Sequence, residues 1–236
     1  MTEDLFQEYG DEYYDSIDAA AVRSADVIVP LVLELTGARS VVDVGCGTGT
    51  WLRAFAERGV DDYVGIDGPH VAPEALQIPE DRYIARNLEQ SFRMERRFDL
   101  VVSLEVAEHL AEQSAPDFIQ SLTCLGSLVL FSAAIPFQGG THHVNEQWPE
   151  YWAGLFRDHG FVPVDCLRRR VWNDDRVEWW YAQNTLMFAT PERLDELPSL
   201  GREYELMGTS QLSLVHPRKY LYCIEWGMKL QTDHDR

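Results

Sequence analysis

Apolar positions recur at helical spacing at the start of the chain and then alternate between strand-like runs and helical stretches. In residues 3–18, Leu5, Phe6, Tyr9, Tyr13 and Ile17 sit among seven acidic side chains and no basic one. Their spacing predicts one or two short amphipathic helices interrupted near Gly10, packed on the main domain or laid over a ligand as a lid. Residues 22–36 predict a helix ending at Gly37. Strands are predicted at Val41 to Val44, Tyr63 to Ile66, Arg82 to Ala85, Phe98 to Leu104 and Ser127 to Ala133. Helices fall at Thr50 to Arg58, Ala115 to Leu125 and Pro149 to His159. Two more strands, Phe161 to Leu167 and Ala182 to Ala189, follow with no long helix between them and predict an antiparallel hairpin at the sheet edge. Such alternation, with apolar strands, predicts a mostly parallel α/β sheet covered on both faces. From Pro191 the pattern weakens into a polar tail with an apolar stretch near Tyr220 to Trp226. The expected organisation is a helical segment over 1–37, an α/β domain over 38–190 and an appendage over 191–236, which serves as a dimer contact or a lid.

Charge narrows the partners. Asp and Glu outnumber Lys and Arg 39 to 20, a formal net charge of −19, which repels phosphate backbones and anionic lipid. Nucleic acid and membranes are therefore not the expected partners. Cys46, Cys124, Cys166 and Cys223 form no C-x-x-C pair, as expected of a reduced, cytoplasmic protein without a disulfide framework or thiolate zinc site. The acidic start has no signal-peptide plan.

The sharpest local signal is VVDVGCGTGTW, residues 41–51, where a buried strand turns through Gly45, Gly47 and Gly49 into a helix. Glycines there permit positive φ and let backbone approach a ligand closely. The spacing is G-x-G-x-G, not the G-x-G-x-x-G of dinucleotide sites, and no G-K-[ST] follows. Asp43 ahead of the loop would repel a pyrophosphate and suits a ligand bearing an amino group. Asp67 ends the next strand in YVGIDG, where a carboxylate can accept both hydroxyls of a ribose.

D-x-G-x-G-x-G followed by a strand-ending acid resembles motifs I and II of class I S-adenosylmethionine-dependent methyltransferases, over roughly residues 38–190. The resemblance implies a doubly wound, Rossmann-like sheet of seven strands in the order 3-2-1-4-5-7-6. It implies that Gly45, Cys46 and Gly47 line the methionine portion of S-adenosylmethionine and that Asp67 holds the ribose. Asn87-Leu88 stands where the family often has Asp-Leu beside the adenine; Asn87 can alternatively cap a following helix.

On the acceptor side, FDLVVSLEVAEHL, residues 98–110, brings Glu105, Glu108 and His109 to i, i+3 and i+4 if the turn is helical. IPFQGGTHHVNEQWPEYW adds His142 and His143 on a glycine-flanked loop. Three readings of this cluster stand: a divalent metal site of Glu105, Glu108, His109 and His142 (or His143), with Mg²⁺, Mn²⁺, Fe²⁺ or Zn²⁺ as the ion; a metal-free site with His109, His142 or His143 as general base; or a structural role, with Glu105 near the sulfonium. E-x-x-E-H with a later His also resembles the small-RNA 2′-hydroxyl and ubiquinone-pathway O-methyltransferases, and the RNA reading conflicts with the charge. Residues 41–180 more closely resemble uncharacterised bacterial methyltransferases of polysaccharide or natural-product pathways. An O-methyltransferase of a small-molecule or saccharide hydroxyl is thus the leading expectation. The alternatives are an N- or carboxyl-methyltransferase without metal, a non-catalytic cofactor-binding regulator, and, against the loop spacing, a dehydrogenase. Trp148, Tyr151, Trp152, Trp172, Trp179, Trp180 and Tyr181 gather in the same half, for packing or for stacking on a sugar. LRRRV, residues 167–171, is a solvated strand end or a phosphate receiver.

Overall fold

Seven short, largely apolar segments extend as strands: β1 (Ser40–Val44), β2 (Asp62–Asp67), β3 (Tyr83–Ala85), β4 (Leu100–Leu104), β5 (Leu128–Ser132), β6 (Val162–Val164) and β7 (Leu186–Ala189). They hydrogen-bond in the order β3-β2-β1-β4-β5-β7-β6. All run parallel except β7, which is antiparallel to both β5 and β6. This is the doubly wound, seven-stranded, Rossmann-like sheet that the resemblance implies. It is seen in a computed structural model that describes residues 11–207 and 211–224.

One aspartate sets the starting register. Asp99 accepts the backbone N–H groups of Arg39 and Ser40 at 2.9 and 3.0 Å, and its own N–H donates to the Ser40 hydroxyl at 2.9 Å. The beginnings of β1 and β4 are thereby locked together, so their carboxyl ends open side by side.

The helices are α1 (Asp11–Thr36), α2 (Thr50–Ala56), α3 (Ala115–Leu125), α4 (Pro149–Asp158), α5 (Arg168–Val171), α6 (Trp179–Asn184), α7 (Pro191–Glu196) and α8 (Pro198–Met207). On one face Ile28 and Val32 of α1 and Leu52 and Phe55 of α2 share a core with Val41, Leu100 and Val102. On the other, Phe118 and Leu122 of α3 and Trp152 and Phe156 of α4 share a core with Val42, Val101 and Phe131. Burying both faces of a parallel sheet is what makes its strands apolar throughout. Among the described residues no helix is long and apolar enough to cross a membrane.

Three elements differ from the sequence pattern. First, α1 is one continuous helix of 26 residues, and from Ala20 onward its apolar side belongs to the core. The acidic stripe's Leu5, Phe6 and Tyr9, and the break expected near Gly10, lie outside the described residues. Second, the expected strand over Ala182 to Ala189 begins only at Leu186, because Trp179–Asn184 coil into α6. Tyr181 then packs edge-on against Trp51 at 5.1 Å. Third, the described residues of the polar tail include α7, α8 and a helical stretch over 217–224.

The tail is joined to the domain through LRRRV, which is helix rather than a strand end. Arg168 is 1% exposed; its guanidinium donates to Asp165 Oδ2 at 2.7 Å and to the Leu212 carbonyl at 2.5 Å. Arg169 and Arg170 both meet Glu203 of α8. These arginines are therefore occupied within the chain. Arg168→Met, which strands Asp165, is expected to lower the unfolding free energy by about 3 kcal/mol in urea denaturation. Arg169→Ala, at an exposed pair, is expected to cost less than about 1 kcal/mol in the same measurement.

Candidate active site

At the carboxyl end of β1 the chain reverses over the end of β2. Gly45 and Cys46 donate backbone N–H bonds to the Ile66 carbonyl at 2.7 and 3.3 Å, and Gly49 donates to Cys46 O at 2.8 Å. The glycines have different reasons to be there. Gly45, at φ +84°, lies against Val106, whose Cγ2 would stand 2.3 Å from any added Cβ. A Cβ on Gly47 would meet nothing within 4 Å, so the space in front of that peptide is open to a ligand.

Asp67 Oδ2 accepts the Gly47 N–H and Oδ1 the Gly68 N–H, each at 2.6 Å. Two short bonds fix the carboxylate plane and leave lone pairs for further donors. Asp43 is 2% exposed, and its Oδ2 has no partner among the described residues. Burial first, then the nearby Asp67 charge, push its carboxyl well above the ordinary range. A buried acceptor without a donor is a place for a ligand's ammonium group. Burial likewise raises the Cys46 thiol far above its usual range, so this side chain is a packing group and its contribution to the loop is its backbone. Asn87 is exposed and accepts the Glu89 N–H at 3.0 Å; its side chain caps a turn, with no helix following, while Leu88 beside it is buried.

The acceptor half is built on the ends of β4 and β5. Glu105 sits at φ +54°, its N–H donating to the Ser132 carbonyl and hydroxyl at 3.0 and 3.1 Å. Its carboxylate accepts Gln138 Nε2 at 2.9 Å and Asn184 Nδ2 at 3.1 Å. Burial raises its proton affinity, against the lowering pull of these hydrogen bonds and of His143. Glu108 is wholly buried; one oxygen accepts the Ala134 N–H at 3.2 Å and the other, Oε2, has no donor. Burial, and then the charge of Glu105, push the Glu108 carboxyl well up. Two carboxyls in one dry site cannot both stay ionised without a proton or a cation between them.

His109 and His143 complete the cluster. One ligand atom from each of Glu108, His109 and His143 lies within 4.8 Å of the others, and the two rings stand edge to face at 4.8 Å. His143 Nδ1 is 2.9 Å from Glu146 Oε1, which leaves Nε2 as its free nitrogen. Partial desolvation, then the charge of His143, lower the His109 pKa although part of the side chain remains exposed. His142 is exposed, at φ +60°, and lies outside that group of ligand atoms, although its backbone and its ring both act on His109. Of the two histidines the sequence left open, His143 is the one grouped with Glu108 and His109, while Glu105 is bound by amides at the edge of the group. Among the described residues the non-glycine positions at positive φ are Glu105, Phe137 and His142. All three lie at this end of the sheet, where backbone strain commonly marks a functional site.

Gln138, Glu146, Gln183 and Asn184 were not among the residues the sequence singled out. Gln183 Nε2 donates to Asn184 Oδ1 at 2.8 Å, and Asn184 Nδ2 to Gln138 Oε1 at 2.9 Å, so three buried amides line one side of Glu105. The Gln-Gly-Gly loop was already suspect; a Gln-Asn pair just ahead of an apolar strand was the available signal for the rest. Of the aromatic group, Trp152 is core, packed on Phe131 at 5.5 Å. Trp148, at 42% exposure, and Phe137, at 87%, are open at the loop.

A family model described as "Methyltransferase domain" matches residues 19–185. Among solved structures, one similar fold is an O-methyltransferase family protein from Burkholderia thailandensis, at 18% identity and a TM-score of 0.55 over 77% of this chain; the chain spans 60% of that protein. Another is CalS10, a S-adenosylmethionine-bound amino pentose methyltransferase from Micromonospora echinaspora, at 14% identity and a TM-score of 0.56 over 77% of this chain and 98% of that one. A third is magnesium protoporphyrin IX methyltransferase from Synechocystis with bound S-adenosylhomocysteine, at 16% identity and a TM-score of 0.54 over 78% and 90%. At these identities the likeness shows the fold. No curated protein matches the sequence.

A carboxyl whose folded pKa is raised contributes stability below its unfolded value near 3.9 that is lost as pH rises through the folded value. Asp43→Asn is therefore expected to raise the neutral-pH urea midpoint of the ligand-free protein and flatten its fall with rising pH. The same variant should weaken S-adenosylhomocysteine binding in calorimetry. Unchanged affinity would remove Asp43 from the ligand's amino end.

Proposed function

This chain belongs to the methyltransferase-domain family and is an S-adenosylmethionine-dependent methyltransferase, and we propose that it methylates a hydroxyl of a small molecule or saccharide with the help of a divalent cation. Glu108, His109 and His143 would hold the ion. The observation that carries this reading is Glu108 Oε2, a buried carboxylate oxygen with no donor, beside a second acid and within reach of two imidazoles. Two nitrogens and a carboxylate suit Mn²⁺, Fe²⁺ or Zn²⁺ better than Mg²⁺. Such an ion, when bound, lowers the pKa of a coordinated hydroxyl and fixes its oxygen.

The chain's own residues account for the rest. Gly47 and Asp67 seat the methionine and ribose portions, and Asp43 receives the amino group. The acceptor oxygen attacks the methyl carbon in line with the carbon–sulfur bond, which breaks with its electron pair on sulfur to release S-adenosylhomocysteine, and the hydroxyl proton is lost to water. Most of the acceleration is then positioning. Glu146 orients His143, and the amides of Gln138 and Asn184 hold Glu105 beside the path. Trp148 and Phe137 offer apolar faces to a ring or sugar. The similar folds of an O-methyltransferase family protein and an amino pentose methyltransferase support this acceptor class, and the net charge of −19 weighs against RNA.

His109 supports a second reading. Its lowered pKa makes it a ready base for a hydroxyl proton if no ion is bound. Calorimetric titration of Mn²⁺ and Zn²⁺ into the protein with S-adenosylhomocysteine separates the two. Saturable binding is expected in the wild type and in His142→Ala, and its loss in Glu108→Gln. No binding in the wild type would sink the metal-assisted reading and leave His109 as base.

A further inference from the structure

We propose that Lys219 is a positioning residue of the acceptor site, carried there by residues 211–224 to fix the loop that bears His143. The inference rests on reading that loop as the acceptor side.

Residues 211–224 lie on the domain as a strap and bury little. Leu212, His216 and Lys219 are at most 8% exposed, and the other residues of the stretch are half-buried or exposed. The attachment is mainly polar. Besides the Arg168 bond to Leu212 O, the His216 N–H donates to Gln183 Oε1 at 2.8 Å and the His216 ring stands 2.8 Å from Trp172 O. Ser213 N–H donates to Glu150 Oε1 at 2.9 Å. One of these anchors, Gln183, also donates from Nε2 to Gln138 Oε1 at 3.3 Å.

Lys219 is the deepest point of the strap, 4% exposed. Its ammonium donates to the Gln138 carbonyl at 2.8 Å and lies 5.1 Å from the Tyr222 ring and 5.9 Å from the Trp179 ring. Among the described residues no carboxylate pairs with it. Taking an ammonium out of water is costly without a counter-charge, so packing alone is a poor reason to place one here.

What it holds is a junction. The Gln138 side chain donates to Glu105 Oε2 at 2.9 Å and accepts from Ile135 N–H at 3.2 Å and Asn184 Nδ2 at 2.9 Å. The next residue, Gly139, donates its N–H at 2.8 Å to the same Glu146 oxygen that meets His143 Nδ1. From Lys219 the path therefore runs through Gln138 and Gly139 to Glu146 and the His143 ring. Phe137, just before the junction, is bulky, exposed and at φ +64°, a conformation that persists only when its surroundings impose it.

The test uses the full chain with S-adenosylhomocysteine bound. Lys219→Met keeps the side chain's length and apolar stem, Lys219→Arg restores the charge, and Arg218→Ala, which removes the neighbouring contact with Asp175, is the control. In Lys219→Met, amide hydrogen exchange over residues 135–147 should speed about tenfold while β4 stays protected. Co²⁺ affinity, read from its visible absorption, should fall about 10-fold to 100-fold. Lys219→Arg should recover both, and Arg218→Ala should match the wild type. A loop in Lys219→Met as protected as in the wild type would overturn the proposal. So would exchange that speeds equally in β4, since Lys219 would then serve overall packing. If the wild type takes up no Co²⁺, the metal reading fails, and the exchange comparison decides the role of Lys219 by itself.

Discussion

The Asp67 carboxylate ties this molecule together where it matters. By accepting the N–H groups of Gly47 and Gly68 at 2.6 Å each, it binds the turn after β1 to the turn after β2. Asp99 does the corresponding work at the opposite end of the sheet, so strand starts are aligned and strand ends are free to diverge into loops. Everything placed at the carboxyl edge follows from those two aspartates: an open space before Gly47, a buried Asp43 behind it, and Glu105 at the end of β4. In a parallel sheet the crossovers all lie on the two faces, and the edge above the strand ends is left for chemistry.

The parts legible in the sequence were those encoded locally. Strand-turn-helix through Gly45 to Gly49, the strand-ending Asp67 and the alternation of apolar runs each need only neighbouring residues to be recognised. The strand order came from resemblance to a family and not from periodicity. Long-range partners had no such signature. Gln138 and Asn184 are ordinary polar residues until the fold brings their amides to Glu105, with Gln183 bonded to both behind them. His142 and His143 are adjacent in the chain, and only the αL turn at His142 decides that His143 faces the cluster. The arginines at 168–170 looked like a solvated strand end because their partners, Asp165, Leu212 and Glu203, come from a tail whose hydrophobic pattern is faint. The helix Trp179–Asn184 was hidden for a related reason, since its last three residues run straight into the apolar strand that follows and Tyr181 finds Trp51 only in the fold.

Glu105 and Glu108 share a constraint that neither has alone. Burial raises the proton affinity of both, and the charge of Glu105 makes ionisation of Glu108 harder still. The amides around Glu105 pull toward the charged state, whereas Glu108 has one oxygen with no donor at all. The site therefore holds its two acids unequally, and a difference of this kind between neighbouring carboxyls is how a fold gives them different tasks.

The bond from Lys219 to Gln138 closes a span of 81 residues, and that from Arg168 to Leu212 a span of 44. Both link the sheet to the last part of the described chain. A ribosome delivers a protein from its amino end at about 5–20 residues per second, so the residues around Gly47 and Asp67 are synthesised before those of the strap. These two contacts, which tie the strap to the sheet, are therefore among the last that the growing chain can make.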